Sequence, residues 1–222
     1  QFAADPNPAK VNLGVGVYFD DNGKLPLLQC VQAAEKTMMD KPTARGYLPI
    51  DGIVAYDAAV KGLVFGAESD VVTSGRVATV QGIGGTGGLK IGADFLKKVS
   101  PSAKVLISDP SWENHRALFT SAGFEVGSYR YYDAAKRGVD FDGMLADLNA
   151  AAAGTIVLLH ACCHNPTGYD ITAAQWDQVI AACKAKQLTP FLDMAYQGFG
   201  YGIAEDGAVI GKFVASGLNF FV

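Results

Sequence analysis

The chain has 222 residues, of which half are hydrophobic and only 18% are charged, so it can build a substantial core and is not globally disordered. Its 22 acidic residues outnumber its 18 basic ones and no basic run occurs, which argues against nucleic acid as a partner. No apolar segment reaches the roughly 18–20 residues of a membrane helix, so no membrane partner is expected. Four cysteines in a chain of this length form no disulfide framework and favour a cytoplasmic location.

The first part of the chain is polar and rich in turns, and a regular pattern begins near Leu27. Residues 1–26 are expected to form an N-terminal arm or part of a smaller domain, and residues 27–222 the N-terminal portion of a large domain. Helices are predicted at 29–40, 53–65, 88–99, 113–122, 141–150, 173–186 and 208–215. Strands are predicted at 76–81, 104–108, 124–129, 155–160, 189–194 and 218–222. This alternation predicts an α/β fold with a mainly parallel sheet between helices.

The two ends of the chain carry a further expectation. The first residue is a glutamine, and the last five residues, 218–222, read as an apolar strand. A strand that finishes a protein normally has a polar flank or a turn after it. We therefore expect this chain to be an excerpt of a longer one.

In a parallel sheet, ligands bind beyond the carboxyl ends of the strands, so the residues after each predicted strand matter most. The strand at 76–81 is followed by GIGGTGG and a helix, a combination whose free N–H groups and helix dipole suit a phosphate. Gly82, Gly84 and Gly87 also match the dinucleotide-binding pattern G-x-G-x-x-G, with Asp109 where a ribose-binding acid belongs. A phosphate site, a dinucleotide site and a plain strand–helix turn all remain open at this point.

The strand at 155–160 ends in four possible metal ligands, namely His160, Cys162, Cys163 and His164. Successive residues of a strand point to opposite faces, so four in a row do not readily converge on one tetrahedral ion. We expect no metal here, and zinc remains the alternative. Asn165 precedes a proline that holds it extended, at the position where a ligand would lie.

Three further side chains lie near predicted strand ends. Trp112 follows the strand at 104–108, where its flat face could cover a planar ligand, although taken alone it is better explained as a packed loop aromatic. His115, taken alone, is better explained as a structural histidine than as a catalyst. Asp193 ends a central strand, where a carboxylate is costly unless a cation meets it. It either caps the next loop or pairs with a positive group on a ligand.

Taken together, the segments GGTGGLK, DPSWENH, CCHNPTG and DMAYQGFG resemble the class I aminotransferases that use pyridoxal phosphate (PLP), in particular the bacterial aromatic-amino-acid and aspartate aminotransferases. The resemblance covers nearly the whole chain, and the pair H-N-P-T-G with a later D-x-A-Y is its specific part. It implies the large domain of the aspartate aminotransferase-like fold (fold type I), truncated at its C-terminus. It also implies ping-pong transfer of the amino group of tyrosine, phenylalanine or aspartate to a 2-oxo acid such as 2-oxoglutarate, by a homodimer.

The resemblance implies a role for the residues at the strand ends. Asp193 would pair with the pyridine nitrogen of PLP, with His115 supporting it from behind. Tyr196 and Asn165 would hydrogen-bond the phenolic oxygen of the cofactor. Trp112 would stack on its ring, and Trp112 and Asn165 would also contact the substrate. Asp193, Tyr196 and Trp112 are therefore the predicted catalytic residues.

The resemblance also assigns residues outside those strands. Gly85 and Thr86 would hold the phosphate at the start of a helix, joined by Tyr47 from the other subunit of a dimer. Gly16 would meet the carboxylate of the substrate.

The lysine that forms the Schiff base in this family is expected beyond Val222, because Lys212 lies in a predicted helix and in the wrong context. Two alternatives to an aminotransferase are kept. One is a nucleotide-binding oxidoreductase that uses the loop of Gly82, Gly84 and Gly87, and the other is a catalytically dead PLP-fold interaction module.

Overall fold

The computed structural model describes residues 2–12 and 16–222. The chain divides into two compact units, Gln1–Tyr47 and Leu48–Val222. The predicted domain boundary between residues 26 and 27 stays a prediction. No helix in the described ranges is long and apolar enough to cross a membrane.

The first unit contains one short 3-10 turn, Phe2–Ala4, and one α-helix, α1 (Gln29–Asp40). The predicted helix at 29–40 is thus confirmed. None of the residues of α1 is buried.

The second unit is an α/β layer structure, as predicted. Its helices are α2 (Val54–Phe65), α3 (Asp70–Thr73), α4 (Gly84–Val99), α5 (Glu113–Ser121), α6 (Phe141–Ala150), α7 (Ala173–Ala185) and α8 (Ile203–Ser216). Its strands are β1 (Lys104–Asp109), β2 (Glu125–Arg130), β3 (Tyr132–Asp133), β4 (Gly138–Val139), β5 (Ile156–His160) and β6 (Thr189–Asp193). Strands β2, β1, β5 and β6 form a parallel sheet in that order, and β3 and β4 form a small antiparallel hairpin.

The continuous apolar sequence of β5 is explained by burial on both faces of the sheet. Val157 and Leu159 pack into a cluster with α6, α7 and α8, whereas Ile156 and Leu158 pack with α4 and α5 on the other face. All four side chains are at most 1% exposed. The register of β5 and β6 pairs His160 with Asp193, so the last residues of these two strands lie side by side.

Two of the predicted strands are wrong. The run at 76–81 forms no ladder with any described residue. Its last residue, Gln81, is instead hydrogen-bonded to the turn around residues 51–53. The N–H of Gln81 donates to the carbonyl of Asp51 at 2.9 Å, and its side-chain oxygen accepts from the N–H of Ile53 at 2.9 Å. The run at 218–222 makes only an isolated bridge, between Phe221 and Phe191. β-propensity makes a strand only where a neighbouring strand supplies the ladder.

Two helices begin earlier than predicted. Helix α4 begins at Gly84 instead of residue 88, so most of the glycine run forms its first turn and is not a loop. Helix α8 begins at Ile203 instead of residue 208. Glycine lowers helix propensity by about 1 kcal/mol per residue, but packing of the apolar face, here Leu89, Ala93 and Leu96 of α4, overrides it.

Candidate functional site

A cavity open to solvent lies at the carboxyl ends of β5 and β6, with about 430 Å³ of empty space when the adjoining open solvent is included. Its lining residues are Gly85, Leu89, Trp112, His160, Cys162, Asn165, Asp193, Ala195 and Tyr196. The parallel sheet explains the position, because its strands all end at the same edge and the loops that follow them surround one space.

Asp193 is held in this cavity by a buried histidine. His115 lies in the first turn of α5, is 0% exposed, and its Nε2 is 2.8 Å from Oδ2 of Asp193. Its other ring nitrogen, Nδ1, is 2.8 Å from Oγ of Ser111. Because a carboxylate only accepts hydrogen bonds, Nε2 of His115 is the donor. The side chain of Asp193 is itself 18% exposed, so it is oriented from behind while it faces the open cavity.

His160 is a neutral histidine beside this pair. Its ring packs edge-on against His115, with centroids 5.1 Å apart, and lies 4.2 Å from the ring of His164. Burial lowers the pKa of His160 to about 4, an effect that the neighbouring His115 reinforces. Neither ring nitrogen of His160 has a hydrogen-bond partner among the described residues. Because buried polar atoms are nearly always paired in proteins, these two nitrogens offer hydrogen-bonding capacity to a polar ligand in the cavity.

His164 anchors the loop after β5. Its Nε2 is 2.9 Å from Oγ of Ser108, and its Nδ1 is 2.8 Å from Oγ1 of Thr167. Ser108 gives its one hydroxyl proton to the carbonyl of Pro110, so Nε2 of His164 donates to Ser108 and Nδ1 accepts from Thr167. Burial lowers the pKa of His164 to about 3, which agrees with this neutral form. The ring also stacks on Tyr131 at 3.9 Å.

Asp170 fixes the same loop from outside. One oxygen of its carboxylate accepts from the N–H of Cys163 at 2.7 Å and the other from the N–H of His164 at 2.8 Å. Asn165 follows directly, and its Nδ2 is 3.4 Å from the hydroxyl of Tyr196 across the cavity. The two contacts of the Asp170 carboxylate therefore fix the backbone just before Asn165, and with it the position of the Asn165 side chain.

Trp112 precedes α5 and stands against the buried histidine. Its ring meets His115 edge-on, with centroids 5.3 Å apart and planes at 85°. The structure thus brings Trp112, Asn165, Asp193 and Tyr196 together around one cavity, with His115 directly behind. Their individual roles stay predictions.

The glycine segment reaches the same cavity from α4. Gly85 lines it, and Thr86 is exposed in the first turn of the helix. A Cβ at Gly82 would lie 2.7 Å from the backbone nitrogen of Gly88, so a close backbone approach requires glycine there. The N–H groups of the first three residues of an α-helix have no carbonyl partner within the helix, which here suits an anion beside Gly85 and Thr86.

The other predicted site residues lie elsewhere. Tyr47 and Gly16 belong to the unit Gln1–Tyr47, and their predicted roles stay predictions. Lys212 lies in α8, and its Nζ is 2.6 Å from a carboxylate oxygen of Asp177. This ion pair supports the view that Lys212 is not the reactive amine.

The four possible metal ligands after β5 do not meet at one point. His160 groups with His115 and Asp193, and the two cysteines group with Asp206. His164 is engaged by Ser108 and Thr167.

Asp206 and Asp170 are the structural residues that sequence reasoning missed. Asp206 lies in the first turn of α8 and accepts from the N–H groups of Gly198, Gly200 and Tyr201 at 2.8–2.9 Å. Burial acts to raise the pKa of Asp206, but these backbone donors outweigh it and the pKa is lower than usual. An acid shortly after several glycines was the available signal, since such loops need an acceptor for their N–H groups.

Comparison with known proteins confirms the fold and the family. The chain belongs to the family of class I and II aminotransferases, whose sequence model matches residues 8–221. It is 60% identical over 221 residues to an aspartate aminotransferase of Pseudomonas aeruginosa, with all of this chain and 56% of that protein covered. It is 50% identical over 223 residues to the aromatic-amino-acid aminotransferase of Escherichia coli K12, again with all of this chain and 56% of that protein covered.

A solved structure shows the same fold. The aromatic-amino-acid aminotransferase of Burkholderia pseudomallei, covalently bound to pyridoxal phosphate, superposes with a TM-score of 0.94 at 61% identity. The match covers 99% of this chain and 55% of that one. The chain therefore spans about half the length of the relatives that it matches.

Proposed function

We propose that the whole protein is a PLP-dependent aminotransferase that moves the amino group of an aromatic or dicarboxylic amino acid to a 2-oxo acid by a ping-pong mechanism. Family membership and relatives named for aspartate and aromatic amino acids support this proposal. A cytoplasmic homodimer, in which Tyr47 and Gly16 complete the site, is part of the same proposal.

The residues present fit PLP. The cavity has the acidic Asp193 for a cationic ring nitrogen, the flat Trp112 for a ring face, and the first turn of α4 for a phosphate. The buried ring nitrogens of His160 lack partners among the described residues, as expected beside a polar ligand. When bound, PLP supplies a conjugated ring that accepts the electron pair released at the substrate α-carbon.

The observation that carries the proposal is the pair of Asp193 and His115 at the end of β6. His115 donates to one oxygen of the carboxylate and orients it, so that Asp193 can hold a proton on the ring nitrogen.

Trp112 would cover the ring and exclude water on that side. Asn165 and Tyr196 would orient the phenolic oxygen, and Gly85 and Thr86 would bind the phosphate through backbone and hydroxyl groups.

The dinucleotide alternative lacks its structural context. The G-x-G-x-x-G pattern indicates a dinucleotide site only between a strand and a helix, and residues 76–81 form no strand. The test is the thermal midpoint of the whole protein with PLP or NAD. A ligand at 100 times its Kd stabilises a protein by about 2.7 kcal/mol, so PLP should raise the midpoint and NAD should not. Stabilisation by NAD alone would contradict the proposal.

Turnover separates an active enzyme from an interaction module. The whole protein with PLP should convert tyrosine, phenylalanine or aspartate with 2-oxoglutarate as acceptor. Binding of PLP without turnover of any amino acid would favour the interaction module. Reduction with borohydride in the presence of PLP should give no site-specific, stoichiometric label on a lysine within residues 1–222, because no lysine lines the cavity in the described residues.

A further inference from the structure

The two adjacent cysteines after β5 have no role in the proposed reaction, yet their thiols lie close together. The Sγ atoms of Cys162 and Cys163 and a carboxylate oxygen of Asp206 all lie within 4.8 Å of one another. In an extended strand, neighbouring side chains point to opposite faces. Cys163 leaves that geometry with a φ of 50°, so the two sulfurs face one point.

Both cysteines border space that a small reagent can enter. Cys162 is only 7% exposed, but it lines the open cavity. Cys163 is partly exposed at the surface of the loop, and its N–H is fixed by Asp170 at 2.7 Å. An atom bound at about 2.3 Å from each of two sulfurs, the length of a zinc–thiolate bond, spans at most about 4.6 Å. The two bonds at a pyramidal atom are bent, so a bridge brings the sulfurs closer than this limit, through rotation of the two side chains.

A charged metal ion is a poor occupant. The carboxylate of Asp206 is already used by three backbone N–H groups and would repel two thiolates. Burial raises the pKa of the Cys162 thiol to about 12 and also raises the pKa of the Cys163 thiol, so both protons would be hard to remove. A disulfide between the two is also disfavoured, because neighbouring Cα atoms are about 3.8 Å apart and disulfides span about 4.4–6.8 Å. A neutral bis-thiol adduct places no charge beside Asp206, passes each thiol proton to a leaving hydroxyl, and needs no direct bond between the two sulfurs.

We propose that Cys162 and Cys163 form a dithiol site for trivalent organoarsenicals. Each As–OH bond of the hydrated reagent, R–As(OH)₂, is replaced by an As–S bond, and each hydroxyl leaves as water with a thiol proton. Arsenic stays trivalent, no electron is transferred, and the product is neutral.

Capture at this site disturbs the cavity through Tyr196. The Sγ of Cys163 lies 3.8 Å from the carbonyl oxygen of Tyr196, and the hydroxyl of Tyr196 lies 3.4 Å from Nδ2 of Asn165. Once Cys163 is bound to arsenic it has no thiol proton, so it can no longer donate a hydrogen bond to the carbonyl oxygen of Tyr196. This coupling rests on the proposed function, whereas the dithiol site itself does not.

The dithiol site is tested with phenylarsine oxide on the whole protein, followed by alkylation of the remaining thiols and peptide mass spectrometry. One equivalent should protect Cys162 and Cys163 together, reversibly by a dithiol. Cys162→Ser and Cys163→Ser should each weaken binding by about 10²–10⁴-fold, as loss of a second linked contact does. Cys30→Ser and Cys183→Ser are the matched controls and should bind as the unsubstituted protein does.

Unchanged affinity in Cys163→Ser would overturn the proposal, and so would protection of Cys30 or Cys183 instead. Cys163 is partly exposed, so its serine variant remains informative if the Cys162 variant does not fold.

The coupling between the dithiol site and the cavity is measured as the PLP affinity of the protein before and after it binds phenylarsine oxide. The adduct should weaken PLP binding, and Cys163→Ser should remove this effect. An adduct with unchanged PLP affinity would overturn the coupling. If the untreated protein takes up no PLP, the proposed function fails, and the alkylation pattern still decides the dithiol site.

Discussion

Two regions of the chain reach the same cavity, and they are held in different ways. The loops after β5 and β6 are fixed by contacts within the unit, through His115, His164, Asp170 and Asp206. The glycine segment at the start of α4 follows residues 76–81, which have no strand partner among the described residues. A Cβ added at its Gly85 would meet no heavy atom within 4 Å. Polar side chains hold the loops after β5 and β6 in place. The glycine segment instead offers its backbone N–H groups to a ligand.

The largest expected effect comes from removing the charge in the fixed region. Asp193→Asn keeps an acceptor for Nε2 of His115 but removes the negative charge. A nearby opposite charge typically shifts a pKa by about 1–3 units, or roughly 1.4–4 kcal/mol, so turnover of the whole protein should fall about ten- to a thousandfold. Asp177→Asn, at an exposed ion pair with Lys212, is the control. Turnover near that of the unsubstituted protein would show that Asp193 is not opposite a cationic ring.

The buried histidines of this region also predict how stability depends on pH. The folded-state pKa values, about 4 for His160 and about 3 for His164, lie below the usual 6.5, since burial disfavours the charged form. Their contribution to stability is therefore complete above pH 6.5 and is lost as the pH falls from there towards 4 and 3. Each histidine adds a slope of at most about 1.4 kcal/mol per pH unit.

Urea unfolding of the protein across this pH range measures that slope. His160→Gln removes one of the two titrating groups and keeps a polar side chain, so its slope should be shallower. An unchanged slope in this variant would mean that His160 is not buried in its neutral form.

The glycine region should respond to backbone crowding instead of charge. Gly82→Ala places a Cβ 2.7 Å from the nitrogen and 2.9 Å from the Cα of Gly88, and such overpacking costs about 1–3 kcal/mol. Gly85→Ala meets nothing within 4 Å, so the free energy of unfolding should not fall, while PLP affinity should decrease because Gly85 lines the cavity. Equal destabilisation by both changes, measured by thermal unfolding, would remove the distinction between the two glycines.

The sequence predicted the loops after β5 and β6 better than the glycine segment at the start of α4. The apolar run of β5 and the polar residues after it mark a strand end, and the parallel sheet then places Asn165 near Asp193. The same reasoning failed at 76–81, because β-branched residues indicate a strand only when a ladder partner exists. It also missed that a positive φ at Cys163 turns two neighbouring thiols to one side. Such a backbone conformation in a non-glycine residue is set by tertiary contacts, here the carboxylate of Asp170, and leaves no local pattern.

The smallest effect on stability is expected at the contact that joins the two loops of the fixed region. The hydroxyl of Tyr196 lies 3.4 Å from Nδ2 of Asn165, beyond the usual range of about 2.7–3.2 Å, and the side chain is 40% exposed. Tyr196→Phe should therefore change the free energy of unfolding by less than about 0.5 kcal/mol, below the usual value for a hydrogen bond. PLP affinity should fall about tenfold or more, since a bond to a charged oxygen contributes about 1.5–3 kcal/mol. Tyr201→Phe, at a tyrosine that is 91% exposed and outside the cavity, should change neither quantity. A large loss of stability without a change in PLP affinity would mean that the Tyr196 hydroxyl supports the loops and does not serve the cofactor.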